Sequence, residues 1–149
     1  DSLTVTVTDG ENNAPNKPEQ PTGKKNGEAG ITYSYTSSTT DYDGDVIYYK
    51  FDWGDDTDSG WVGPYSSGND CTESHSWNNQ GTYSVKVKAK DDPNNDGDLS
   101  DGKESDWSDS LSVTMPKKKS WNNPFLAFMN HLINQFPVLK EYIQNFWEE

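Results

Sequence analysis

Along most of this chain hydrophobic and polar residues alternate with a period of two, the signature of half-buried strands. Leu3, Val5 and Val7 interleave with Thr4, Thr6 and Thr8, and Ile31–Thr36 alternates in the same way. Val46–Asp52, rich in β-branched and aromatic residues, reads as a further strand. Trp61–Tyr65 reads as a short edge strand, because Pro64 cannot donate to a ladder. Cys71–Trp77 follows, then the turn Asn78-Asn79-Gln80-Gly81. Thr82–Lys90 carries the clearest pattern: Tyr83, Val85, Val87 and Ala89 take one face and Lys86, Lys88 and Lys90 the other. Asp106–Met115 closes the set, and the Pro- and Asn-rich residues 11–23 form a linker running into a first edge strand. About seven short strands at regular spacing within ~100 residues predict an all-β, immunoglobulin-like sandwich.

The period changes after Lys117-Lys118-Lys119. Phe125, Phe128, Met129, Leu132, Phe136, Leu139, Ile143 and Phe146 recur at steps of three and four, which predicts an amphipathic α-helical tail. Pro137 splits that stripe or opens a second helix. The chain thus divides into an N-terminal strand and linker (1–14), a sandwich (15–117) and a helical tail (118–149). Asp109–Met115, DSLSVTM, nearly repeats Asp1–Val7, DSLTVTV. Two readings follow. Residues 1–8 are the last strand of a preceding, similar domain, the chain being an excerpt of a tandem array. Alternatively they open a mature chain and complete a neighbouring subunit's sheet by strand addition. A strand without a sheet leaves its backbone groups unpaired, and the excerpt reading is favoured.

The apolar stripe of the tail needs a cover: its own sandwich, another domain or subunit, or a membrane surface. It carries few cations and ends in Glu148-Glu149, so anionic lipid is a poor partner and protein contact is preferred. The expected partners are therefore protein domains or subunits, met through residues 1–8 and 121–149.

Composition narrows the function. Mean hydropathy is −1.05 and only 30% of residues are hydrophobic, yet 13% are aromatic. That predicts a small, aromatic-rich core in place of disorder. A net charge of −13 repels phosphate backbones and argues against nucleic-acid binding. It suits calcium binding and an extracellular or cell-surface setting. The single Cys71 has no internal disulfide partner, and an inert buried thiol is expected over an intermolecular bridge. No run reaches the ~18 apolar residues of a membrane span. Asp1 opens directly into a strand pattern without a signal peptide, as in a mature or excerpted chain, which leaves secretion open.

Candidate chemistry lies in two acidic stretches. Asp41, Asp43 and Asp45 surround Gly44. A hard cation wants several oxygen ligands, which makes Asp43 and Asp45 candidate Ca²⁺ ligands; the plain alternative is that they accept turn N–H bonds. The loop Asp92-Pro93-Asn94-Asn95-Asp96-Gly97-Asp98 fits the opening of an EF-hand loop, with Asp92, Asn94, Asp96 and Asp98 as ligands. Its twelfth place is Lys103, with Glu104 one late. Repulsion among its aspartates favours an ion over a merely solvated loop. Asp52 and Asp55 lack a nucleophile pattern, which argues against catalysis. His75 is expected beside the turn as a structural residue, and His131 does not pair with it by any spacing rule. Trp61 and Tyr65 are expected in edge packing more than in sugar stacking.

Three motifs in order carry a family resemblance over residues 15–116. Phe51-Asp52-Trp53-Gly54-Asp55 resembles the W-D-F-G-D-G signature of PKD (polycystic kidney disease) domains. Ser74-His75-Ser76-Trp77 with Gly81-Thr82-Tyr83-Ser84-Val85-Lys86-Val87 resembles the H-x-aromatic and G-x-Y-x-V stretches of that family, and Asp41–Asp45 its D-x-D-G-D turn. Asp56 stands where the family usually has Gly, so the turn requires it to enter the left-handed region. The resemblance implies a β-sandwich that is not an enzyme. It also implies Ca²⁺ near the D-x-D-G turn, with Asn16 completing the ligands. The expected function is a non-catalytic extracellular structural or adhesion module, calcium-stabilised. The alternatives are a filament or sheath subunit assembled by donation of strand 1–8, and an accessory polysaccharide- or protein-binding domain of an extracellular hydrolase.

Overall fold

The computed structural model describes residues 10–116 and, beyond them, Ala127, Phe128, His131, Leu132 and Gln135, which have helical backbone. The expected strand at residues 1–8 and the remainder of the expected helical tail lie outside the described residues. The chain divides into two compact units, Asp1–Lys117 and Lys118–Glu149.

The first unit contains β1 (Thr22–Gly23), β2 (Tyr33–Ser37), β3 (Val46–Asp52), β4 (Val62–Tyr65), β5 (Cys71–His75), β6 (Gly81–Asp92) and β7 (Leu111–Met115). They form two antiparallel sheets, β1-β2-β5 and β4-β3-β6-β7. Tyr35 from the first sheet and Ile47, Tyr49, Phe51, Val85, Val87, Ala89, Leu111 and Val113 from the second are buried between them. These are the inward positions of the alternation, as the period of two requires.

The aromatic part of the core explains the Trp53 turn. Trp53 stacks on Phe51 at 5.3 Å and on His75 at 4.8 Å. Trp77 meets Tyr35 edge-on at 5.7 Å and donates its indole N–H to the Trp53 carbonyl at 3.1 Å, so a buried donor is satisfied. Tyr83, expected on the inward face, is only partly buried, its ring stacked on Trp77 and its hydroxyl donating to the Asn79 carbonyl. Gly54 (φ 74°) passes so close to β6 that a Cβ there would lie 2.6 Å from the Ser84 nitrogen. Asp56 adopts φ 66°, the left-handed conformation that its turn demands.

Several strand limits differ from the expectation: β2 runs Tyr33–Ser37 in place of Ile31–Thr36, β4 begins at Val62 and β6 at Gly81. β5 ends at His75, and Trp77 leaves the ladder to enter the core. β7 begins at Leu111, five residues later than Asp106, because Ser105 and Ser108 dock on β6 differently from a strand. Each gives its own N–H to β6, Ser105 to the Ala89 carbonyl and Ser108 to the Val87 carbonyl. Each then accepts the β6 amide of the same residue on its hydroxyl. β6 runs on to Asp92, because Val46 and Ile47 of β3 pair with Asp92 and Asp91.

β6 therefore spans the sandwich from pole to pole. Gly81 faces Met115 at one pole, and Asp92 faces Val46 at the other. Along one side β7 also exchanges bonds with the chain before β2, Thr114 N–H to the Lys25 carbonyl and Gly27 N–H to the Thr114 carbonyl. Cys71 is fully buried at the start of β5.

Candidate metal centre

At the Asp92 pole the turn Asp41–Asp45 folds around its first residue. Asp41 Oδ1 accepts the backbone N–H of Asp43 at 2.8 Å and of Asp45 at 3.2 Å. This is the local bonding that makes Asp a turn residue. The same folding brings one carboxylate oxygen each from Asp41, Asp43 and Asp45 within 4.8 Å of one another. Asp41 is 7% exposed, and its Oδ2 is buried with no hydrogen-bond partner.

Two further groups converge here from other elements. Asp91, 0% exposed near the end of β6, accepts the Lys103 N–H on Oδ1, while its Oδ2 is buried and unpartnered. The Asn12 side chain sits beside Asp91 and helps hold its negative charge. Both polar atoms of that amide are nevertheless buried without a bond of hydrogen-bond geometry. The neighbouring backbone is fastened down. Lys103 Nζ donates to the Asn12 carbonyl at 2.7 Å, and Asn13 N–H donates to Asp43 Oδ2 at 2.6 Å.

The electrostatics match the geometry. Burial, then the charges of Asp41, Asp91, Asp43 and Asp92, push the Asp45 carboxyl above its ordinary range. Burial pushes Asp91 up, with Asp41 adding repulsion, against the opposing Lys103 N–H and Asn12. Buried acceptors without donors, held among like charges, are costly unless a cation is shared. Carboxylate and amide oxygens are the ligand chemistry of a hard divalent ion.

Of the residues expected as ligands, Asp43 and Asp45 belong to this group. Asn16 instead donates its side-chain amide to Thr40 Oγ1 at 3.0 Å and its backbone N–H to the Thr40 carbonyl. It is Asn13 that meets Asp43. In the second acidic loop Asp92 accepts the N–H of Gly97 at 2.9 Å and of Asp96 at 3.4 Å. Asp96 accepts Asp98 N–H, Asp98 accepts Ser100 N–H, and Asn94 donates to Asp101. These side chains cap successive turns of their own loop. Among the described residues, three acidic ligands come together only at Asp41, Asp43 and Asp45.

Sequence reasoning missed Asn12, Asp41 and Asp91 as members of the group. The signal for Asp91 was present: it continues the inward series Val85, Val87, Ala89, so the alternation itself points a carboxylate into the molecule.

Other candidates resolve into structural contacts. Asp55 bonds His75 Nε2 at 2.8 Å and Thr57, while Asp52 pairs with Lys86 at 3.3 Å, so each carboxylate has a structural partner. Burial alone would raise the Asp55 carboxyl, but the hydrogen bonds from Thr57 and His75 outweigh it and hold it low. Tyr65 packs edge-on against Tyr49 at 5.6 Å. No helix among the described residues is long and apolar enough to cross a membrane.

A family model described as "PKD domain" matches residues 19–106. Among solved structures, the chain is similar to the "PKD domain of M14-like peptidase from Thermoplasmatales archaeon SCGC AB-540-F20". The two are 47% identical over 72% of this chain and 100% of that one, with a TM-score of 0.60. No curated protein matches the chain.

Proposed function

The chain belongs to the PKD domain family, and from that premise we propose that it serves as a non-catalytic, calcium-stabilised structural module of an extracellular or cell-surface multidomain protein. PKD domains typically occur as accessory modules of such proteins. The observation that carries the calcium reading is the pair of buried, unpartnered carboxylate oxygens, Asp41 Oδ2 and Asp91 Oδ2. Asp41, Asp43, Asp45, Asp91 and the Asn12 amide oxygen would hold the ion. It would supply the positive charge that this cluster lacks and cross-link the entering chain, the Gly44 turn and the end of β6.

The test is a thermal melt of the chain in Ca²⁺ and in chelator. An ion that binds only the folded state adds about 2.7 kcal/mol at a hundredfold excess over Kd, so the midpoint rises. Asp91→Asn, which keeps the shape and removes the charge, is expected to abolish most of that rise. A midpoint indifferent to Ca²⁺ would remove the reading.

A second reading is favoured by one comparison: the similar domain from the archaeon is part of a peptidase. On that reading this chain is an accessory domain beside a hydrolytic one. It would show no hydrolysis alone but would raise the activity of the enzyme on extended substrates when joined to it.

A further inference from the structure

We propose that Asn26-Gly27 is a built-in modification site: a spontaneous, enzyme-free deamidation that is held off while residues 25–27 are bonded to β7 and that, once it occurs, uncovers the free edge of that strand. The reaction is independent of the cation chemistry at the Asp92 pole.

The sequence contains a single Asn-Gly pair, Asn26-Gly27, and Asn26 is exposed. The pair sets the chemistry. The Gly27 nitrogen gives up its proton to solvent base and attacks Cγ of the Asn26 side chain. A new N–Cγ bond forms, the Cγ–Nδ2 bond breaks, and the side-chain nitrogen leaves as ammonia after taking a proton from water. Water then opens the five-membered imide. Opening at the side-chain carbonyl gives Asp. Opening at the main-chain carbonyl gives isoaspartate, whose backbone runs through Cγ and is one methylene longer. A following glycine favours ring closure, because it presents no Cβ to the reacting atoms and leaves the backbone free to turn.

The fold occupies the attacking atom. Gly27 donates this same N–H to the Thr114 carbonyl at 3.1 Å, and Thr114 gives its own N–H to the Lys25 carbonyl at 2.8 Å. Asn26 lies opposite Thr114 as a parallel bridge. In this pairing the Gly27 nitrogen keeps its proton on β7 and cannot attack. The segment is also fastened on either side. The Tyr35 hydroxyl donates to the Lys24 carbonyl at 2.9 Å, and Glu28 N–H donates to the Tyr33 hydroxyl at 2.8 Å. Gly30 N–H donates to the Trp77 carbonyl at 2.7 Å. A Cβ on Gly27 would stand 2.5 Å from a Tyr33 ring carbon, so a bulkier residue would displace the ring whose hydroxyl holds Glu28. The packing thus asks for the glycine that makes Asn26 reactive, and hydrogen bonds shield the pair. Ring closure waits on a local opening that breaks several of these bonds together.

The product matters because of where the pair sits. β7 is the edge of the sheet β4-β3-β6-β7, and residues 25–27 cover its open side. The two bonds at Thr114 depend on the spacing between the Lys25 carbonyl and the Gly27 N–H. Isoaspartate at position 26 lengthens that interval by one methylene, so both bonds cannot be made in the native geometry. The edge then presents unpaired backbone groups to solvent or to another chain. Asp at position 26 leaves the spacing intact and keeps the cover. The two products of one reaction therefore have opposite structural outcomes.

The test ages the folded 149-residue chain at mildly alkaline pH beside a matched sample in urea, and peptide mapping by mass spectrometry follows conversion at each asparagine. In urea Asn26 is expected to convert first. In the folded chain its conversion is expected to be slower by about tenfold or more, since only locally opened molecules react. Equal rates in the two samples, or another asparagine converting ahead of Asn26 in urea, would overturn the proposal. The isoaspartate form, separated by chromatography and refolded, is then compared with the Asn26→Asp variant. The isoaspartate form is expected to melt lower than the unmodified chain by about 4 °C or more and to exchange the Thr114 amide hydrogen faster, while Asn26→Asp stays close to the unmodified chain in both. An isoaspartate form that fails to refold beside a folded Asn26→Asp is the same result at greater strength. An isoaspartate form as stable and as protected as the unmodified chain, or an Asn26→Asp variant as weakened as the isoaspartate form, would overturn the uncovering of the β7 edge.

Discussion

Two neighbouring turn residues show how much one backbone position decides. Gly54 sits at φ 74° with the Ser84 backbone where its Cβ would stand, whereas Asp56 reaches φ 66° with its side chain outward. Gly54→Ala combines left-handed strain with a clash against backbone that cannot yield, and is expected to cost more than about 2 kcal/mol in a urea melt. At the candidate metal centre the sign of pH dependence follows from Asp45 and Asp91, whose folded pKa values are raised by burial and by neighbouring carboxylates. Their contribution is fully present below the ordinary carboxylate range near ~4 and is lost as pH rises through the raised values. In chelator, Tm should therefore climb as pH falls from about 7 toward 4.5. Groups held low, such as Asp55 and Glu104, lose their contribution only below the ordinary range. In Ca²⁺ the trend should reverse, because protons displace the ion. The same slope with and without the ion would count against a shared site.

At the scale of elements, the strands were legible because each buries one face, and a period of two survives wherever the inward residues are large. Val85, Val87 and Ala89 fixed β6 in this way. The limits were less legible, since they depend on partners distant in sequence. Trp77 leaves the edge of β5 for a hydrogen bond to the Trp53 carbonyl. Ser105 and Ser108 look like loop residues, yet their hydroxyls accept the amides of Ala89 and Val87 and continue the pairing of β6 by other means. Ser108→Ala would leave the Val87 N–H buried without an acceptor. It is expected to cost about 1–3 kcal/mol, measured as a lowered denaturant midpoint. The proposed ligand set was only partly legible for the same reason. Asp43 and Asp45 announce themselves by spacing. Asn12 and Asp91 join them only because the entering chain and the end of β6 meet at one pole.

At the scale of the molecule, a chain of net charge −13 concentrates several carboxylates at one end, beside the segment that leads into the fold. The second acidic loop caps its own turns and adds to this end only the charge of Asp92, which helps push Asp45 up.

Cys71 turns the sandwich into its own clock. The thiol is fully buried, and burial pushes it up to about 11. At neutral pH the folded protein thus offers a modifying reagent almost no thiolate and no path to it. Labelling must wait for β5 to come away from β2, so its rate counts openings of the sandwich, one molecule at a time. An ion bound at the Asp41–Asp45 turn, which hydrogen-bonds the segment leading into β5 through Ser67, lengthens the interval between those openings if it holds the closed state. The single sulfur, with no role in the chemistry of the domain, then keeps time for the metal.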